Sequence, residues 1–153
     1  MNADTRLSLA LHALLHMAAR FAPVTSAELG RCMRANPVLV RRTMAGLRER
    51  GLVRSEKGRG GGWSIGRDPA AITIGDVQAA LGRPPLLAVG LRSRLPECLV
   101  EQAVNGALEG AVAEAEALLA DRLRTVTLAT LAEDLRYRSA ARGPHDHAHR
   151  ARE

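Results

Sequence analysis

Leu7, Leu11, Leu14 and Ala18 fall four, three and four residues apart. That spacing lays one apolar stripe along a helix, which Pro23 is expected to end. The stretch TSAELGRCM then offers Thr25 or Ser26 as an N-cap, with Glu28 three residues after Thr25. This is the spacing of a capping box, and Leu29 and Met33 continue the apolar face of a short second helix. In NPVLVRRTMAGLRERG, Asn36 is placed to cap, Pro37 fills the first helical position and Gly51 stops the helix. Its buried stripe is Val40, Met44 and Leu47. Pro37, Val38, Arg41, Ala45 and Arg48 fall on another face, with Arg42 beside them. A capped short helix, a tight turn and a second capped helix within about 25 residues make a helix-turn-helix.

The period then changes. LVRSE and WSIG read as two short strands, with the glycines of GRGGG between them. The pair is a β-hairpin, and in this position a wing. TIGDVQAAL is a further short helix capped by Thr73. Residues 83–99 carry proline and glycine without a period and read as a linker or sensor loop. A long helix follows from about Val100 to Arg124. Val104, Leu108, Val112, Ala115, Leu119, Leu123 and Val126 form its stripe. The domain before it already has a core, so this stripe is expected to meet its twin in a homodimer. Packing back onto its own chain is the alternative. TLATLAEDL reads as a short last helix capped by Thr127, and residues 138–153 as a disordered polar tail. The expected fold is mainly α with a small β-hairpin wing (α+β). Residues 1–82 form a winged helix-turn-helix domain and residues 100–137 a dimerisation helix with a short terminal helix.

Composition changes this picture in one respect. Residues 1–67 carry twelve Lys/Arg against four acids, whereas the remainder carries ten against twelve. The cationic surface therefore belongs to the first half, as expected where that half meets a polyanion. An arginine-rich composition whose arginines form a solvated face is the alternative, and composition alone does not separate the two. No apolar run approaches the ~20 residues of a membrane span. The first twenty residues lack a basic leader and a clear cleavage site, so a mature cytoplasmic chain is expected.

The glycine run invites comparison with phosphate-binding loops, and fails it. Lys57 is the only lysine and precedes the glycines, whereas the P-loop needs lysine after them. The dinucleotide pattern needs a third glycine at 63 or 65, where Trp63 and Ile65 stand. The run also leads into a strand, not into the helix N-terminus that both motifs use. A wing tip fits better. A loop poor in side chains lets Arg59 enter a minor groove about 6 Å wide. Arg54 and Lys57 can then hold adjacent phosphates, and Trp63 packs the hairpin onto the domain. No Ser/His/Asp grouping or paired-carboxylate pocket suggests an enzyme.

These motifs, with N-P-V-x-V-R-R opening the third helix, G-R-G-G-G-W in the wing and the late TLATL, resemble the Rrf-two family of bacterial winged-helix transcription regulators. The resemblance runs from about Thr5 to Leu135. It implies a homodimer with crossing long helices that grips a palindromic operator in double-stranded DNA. Pro37, Val38, Leu39, Arg41 and Arg42 would read the major groove. Lys57, Arg59, Gly60 and Gly61 would enter the minor groove, and Thr25 and Ser26 would contact phosphate. Asn36, Arg48 and Arg54 complete the expected DNA-facing set. A repressor is expected. A regulatory adaptor that binds a partner protein, such as a metabolic enzyme, is the alternative.

Well-studied members hold an iron–sulfur cluster through three cysteines in the loop before the long helix. This chain has two cysteines, Cys32 and Cys98, and only Cys98 lies in that loop. No cluster and no other cofactor is expected. The chain resembles the cluster-less branch, although P-x-C-P-V-G is here Pro96-Glu97-Cys98-Leu99-Val100-Glu101. Cys98 lies near a helix N-terminus with Arg92 and Arg94 close in sequence, which favours thiolate chemistry, while Glu97 and Glu101 oppose it. It is either a redox switch or a small apolar residue in a dimer crevice. Cys32, between Leu29 and Met33, is expected in the core. His12 and His16 are one helical turn apart, a spacing that can bind zinc, but no third ligand is evident nearby, so packing or a helix surface is expected and no metal site. His145, His147 and His149 alternate in a tail that offers no preformed site.

Overall fold

The computed structural model describes residues 5–20, 22–87 and 97–142. Arg92, Arg94, the tail histidines and most of the 83–99 loop lie outside them. Within them, helix α1 (Arg6–Ala18), α2 (Ser26–Met33) and α3 (Pro37–Glu49) precede strands β1 (Val53–Glu56) and β2 (Gly62–Ile65). Helices α4 (Ile74–Ala80), α5 (Leu99–Thr125) and α6 (Leu128–Arg142) follow.

Local chemistry sets most of these boundaries. The Thr25 hydroxyl accepts from the Glu28 backbone N–H while the Glu28 carboxylate accepts from the Thr25 N–H, a complete capping box. The Asn36 side chain accepts from the Val38 N–H, and Pro37 opens α3. Thr73 and Asp76 repeat the capping box at α4. Between α2 and α3, Arg34 turns the chain in the left-handed region at φ 51°, a conformation usually left to glycine.

One core joins the elements. Ala10, Ala13, Leu14 and Met17 of α1 meet Leu29 of α2 and Val40, Met44 and Leu47 of α3. Leu52, Val53, Trp63, Ile72 and Val77 close it, together with Leu128 from α6. The chain thus returns from the long helix into the winged domain. The Leu128 N–H donates to Ile72 O at 2.7 Å and the Ile74 N–H to Val126 O at 3.0 Å. Both stitch the α5–α6 corner to the start of α4.

α5 spans 27 residues, about 40 Å at 1.5 Å per residue, and none of them is buried. Val112, Ala115, Leu119, Leu123 and Val126 of the expected stripe are half-buried. Val104 and Leu108 are exposed, as are Val100 and Leu118 on the adjoining face. The apolar surface therefore splits into two strips, one leaning on the winged domain and one open. α6 continues to Arg142, so residues 138–142, expected in a disordered tail, are helical. Arg138 Nε donates to Asp134 Oδ2 one turn back at 2.6 Å, and Ala140 and Ala141 favour helix.

Candidate nucleic-acid interface

The second helix of the helix-turn-helix presents its polar face to solvent. Pro37, Val38, Leu39, Arg41, Arg42 and Arg48 are all exposed, with Val38 at 60%. An exposed valine between arginines on a well-capped helix costs the isolated fold apolar surface. Such a residue suits contact with another surface, such as a thymine methyl. Asn36 is exposed, but its carboxamide oxygen is used for capping.

β1 and β2 pair antiparallel in the register Arg54 with Ser64 and Ser55 with Trp63. Gly58 and Gly60 hold φ of 93° and 79° at the tip, where any other residue would be strained. The Gly61 N–H closes the turn on Gly58 O at 3.0 Å. Gly62 serves a different need: a Cβ there would lie 2.8 Å from the backbone of Val24. That closeness lets Val24 and Trp63 exchange backbone hydrogen bonds of 2.9 and 2.8 Å, a single β-bridge that ties the wing to the residue before the α2 cap. Arg54, Lys57, Arg59 and Gly60 stand exposed and Gly61 half-exposed.

Trp63 packs inward as expected, at 8% exposure, and its Nε1–H donates to Ser26 Oγ at 2.9 Å. The wing is therefore tied to the first turn of α2. Ser26 keeps its own hydroxyl proton to donate. Thr25 does not, because its hydroxyl donates to Glu28 Oε2 at 2.8 Å. What α2 offers an anion is the Ser26 hydroxyl and the backbone N–H groups of its first turn. Glu28 carries the charge that would oppose this. Its carboxyl is held below the usual carboxylate range, chiefly by the Thr25 backbone hydrogen bond, and Arg20 lies 3.9 Å from it. Thr25, Ser26, Arg41, Ser55, Gly58 and Gly61 line one cleft of about 400 Å³ between α2, α3 and the wing. No sequence motif shows that convergence, since Ser26 and Trp63 are 37 residues apart.

Cys98 caps α5 without a side-chain capping bond and is half-exposed. Cys32 departs from expectation: it is exposed, not core. α2 is short and its inward positions are Leu29 and Gly30, which leaves Cys32 facing α1. There its Sγ lies 2.8 Å from His16 Nε2, supplying the third donor that the sequence did not reveal beside His12 and His16. The His16 imidazole is pushed below its ordinary pKa by burial, with His12 and Arg20 adding to the effect.

Comparison with known proteins agrees with this architecture. A family model described as Rrf2, iron-dependent transcriptional regulator, matches residues 3–134. Among curated proteins none matches significantly. A Lactobacillus plantarum protein described as a candidate transcriptional regulator superposes with TM-score 0.70 at 23% identity, covering 86% of this chain and 90% of its own. IscR of T. potens gives TM-score 0.59 at 22% identity, covering 88% of each chain. CymR of B. subtilis, a global cysteine regulator, gives 0.58 at 24% identity, covering 87% of this chain and 97% of its own. At these identities the structural likeness carries the fold, and the family model carries the family.

Proposed function

The chain belongs to the Rrf2 family of DNA-binding transcriptional regulators, and on that premise we propose that it binds a palindromic operator as a homodimer and represses by occupying it. The observation that carries this reading is the cleft in which α2, Arg41 and the glycine wing converge. A phosphate of the DNA backbone fits between these donors. From there α3 enters a major groove with Pro37, Val38, Leu39, Arg41, Arg42 and Arg48. The wing sends Arg59, with Gly60 and Gly61 behind it, into the flanking minor groove, while Arg54 and Lys57 hold phosphates. The open strip of α5, with Val100, Val104, Leu108 and Leu118, supports pairing of two chains. Two wings at half-site spacing read a palindrome. Such a protein works where the chromosome lies, in the cytoplasm.

The family description names iron. An iron–sulfur cluster draws on several thiolates, and the whole chain has two, Cys32 near the end of α2 and Cys98 at the start of α5. Among the described residues, the one grouping of three or more His, Cys or carboxylate donors is His12, His16 and Cys32. It has one thiolate and does not fit a cluster, so regulation is not routed through one. Cys98 supports a thiol switch instead. Oxidation to a sulfenic acid or an intersubunit disulfide at the root of α5 would act on the dimer seam.

The test is a gel shift on the gene's own upstream DNA across a salt series. Removing one phosphate-binding cation, as in Lys57→Ala, should reduce the slope of log affinity against log salt by about 0.9. Arg41→Ala and Arg59→Ala should each weaken binding by about 1–3 kcal/mol if their side chains touch bases. Binding unchanged in both variants refutes the groove assignments. Peroxide should release DNA from wild type but not from Cys98→Ser, and equal release from both refutes the switch.

A further inference from the structure

α1 sets His12 and His16 one turn apart, and their rings stack with centroids 5.3 Å apart and planes 15° from parallel. α2 lays Cys32 across this pair, its Sγ 2.8 Å from His16 Nε2. One nitrogen from each imidazole and the sulfur all lie within 4.8 Å of one another. A tetrahedral ion with bonds of about 2.3 Å to sulfur and about 2.05 Å to nitrogen holds its donors about 3.4–3.6 Å apart. The Sγ–Nε2 separation of 2.8 Å is shorter than that and the remaining separations are at most 4.8 Å, so the donors already stand close to the spacing an ion requires.

We propose that His12, His16 and Cys32 form a binding site for a single transition-metal ion of zinc type. Two imidazoles and a thiolate suit a borderline-soft cation and disfavour magnesium or calcium, which take oxygen. Zinc outcompetes ferrous iron at such donors. Three protein ligands leave a fourth position open. It faces outward, since His12 and Cys32 are both exposed, and water or a small thiol fills it. His12 and His16 also line an apolar groove of about 720 Å³ between α1 and α6, with Leu7, Leu11, Leu15 and Leu131. The ion ties α1 to α2, the helix whose first turn holds Trp63 through Ser26. Loading thus stiffens the part of the molecule on which the wing rests. The site does not depend on the DNA-binding proposal and is tested without DNA.

The experiment titrates Co²⁺ into the untagged full chain carrying His145→Ala, His147→Ala and His149→Ala, so that tail imidazoles do not contribute. Saturation is expected at one equivalent, with visible bands of tetrahedral cobalt and a near-ultraviolet thiolate-to-cobalt band, all displaced by Zn²⁺. Cys32→Ser, a one-atom change at an exposed position, should abolish the thiolate band and weaken affinity at least about tenfold. His16→Ala should weaken it likewise, and Cys98→Ser should leave it unchanged. Zinc should raise the melting temperature of the parent but not of Cys32→Ser. The proposal is overturned by failure to saturate, by a thiolate band that survives Cys32→Ser, or by its loss in Cys98→Ser.

Discussion

Trp63→Phe isolates the link between wing and helix-turn-helix. The indole is 8% exposed and its N–H reaches Ser26 Oγ at 2.9 Å. Phenylalanine fills most of the ring volume but leaves a void the size of one or two methylene groups, worth about 0.8 kcal/mol each. It also deletes a hydrogen bond worth about 1 kcal/mol net. The loss should total about 2–3 kcal/mol. Ser26→Ala leaves no void but strands the buried indole N–H, at about 1–3 kcal/mol. Both changes together should cost less than the sum of the two alone, by about 1 kcal/mol, because the same bond cannot be lost twice. Urea unfolding followed by circular dichroism measures all four proteins. Trp63 is the sole tryptophan, so its emission in the Ser26→Ala variant reports directly on the wing base. Strict additivity, or a Trp63→Phe protein as stable as wild type, would refute the tether.

Leu118→Glu, at a position 73% exposed on α5, should shift the solution mass from two chains to one without changing the helical spectrum; a mass of two chains in the variant would place the seam elsewhere. Arg34→Gly should stabilise by about 0.5–1 kcal/mol, as relief of a left-handed arginine exceeds the added freedom of the unfolded glycine; a lower melting temperature would contradict this. Glu28→Gln should destabilise at neutral pH, and the gap should close in acid. The Glu28 carboxyl is depressed in the folded state, so its stabilising effect is complete above its unfolded pKa and disappears as pH falls through the folded one. Melting curves of both proteins between pH 7 and pH 3 measure the gap, and a constant difference would sink the reasoning.

Caps and turns make the winged domain legible, because they act over two to four residues. Thr25 with Glu28, Asn36 with Pro37, and Gly58 with Gly60 each announce a boundary through nearby chemistry. What the sequence hides is what distant residues do to one another. Cys32 sits among apolar neighbours in the chain, and only the crossing of α1 and α2 turns it toward His16. Ser26 reads as a phosphate ligand, and only the fold shows it holding an indole first. On α5, one run of apolar spacing covers two surfaces, and Leu118 falls off the stripe because the open face is rotated from it. The reach of α6 is disguised by Arg138, which reads as the start of a tail but pairs with Asp134 one turn back along the helix.

Leu128 comes from beyond the rod, yet it is 1% exposed among the winged domain's own side chains. The winged half therefore borrows part of its interior from a residue beyond α5. Cut after residue 87, it would open a hole beside Ile72 and lose the strand-like clasp on Thr73 and Ile74. Head and rod are thus not independent in stability, and a strain imposed on one arrives in the other through Leu128 and the backbone bonds on either side of it.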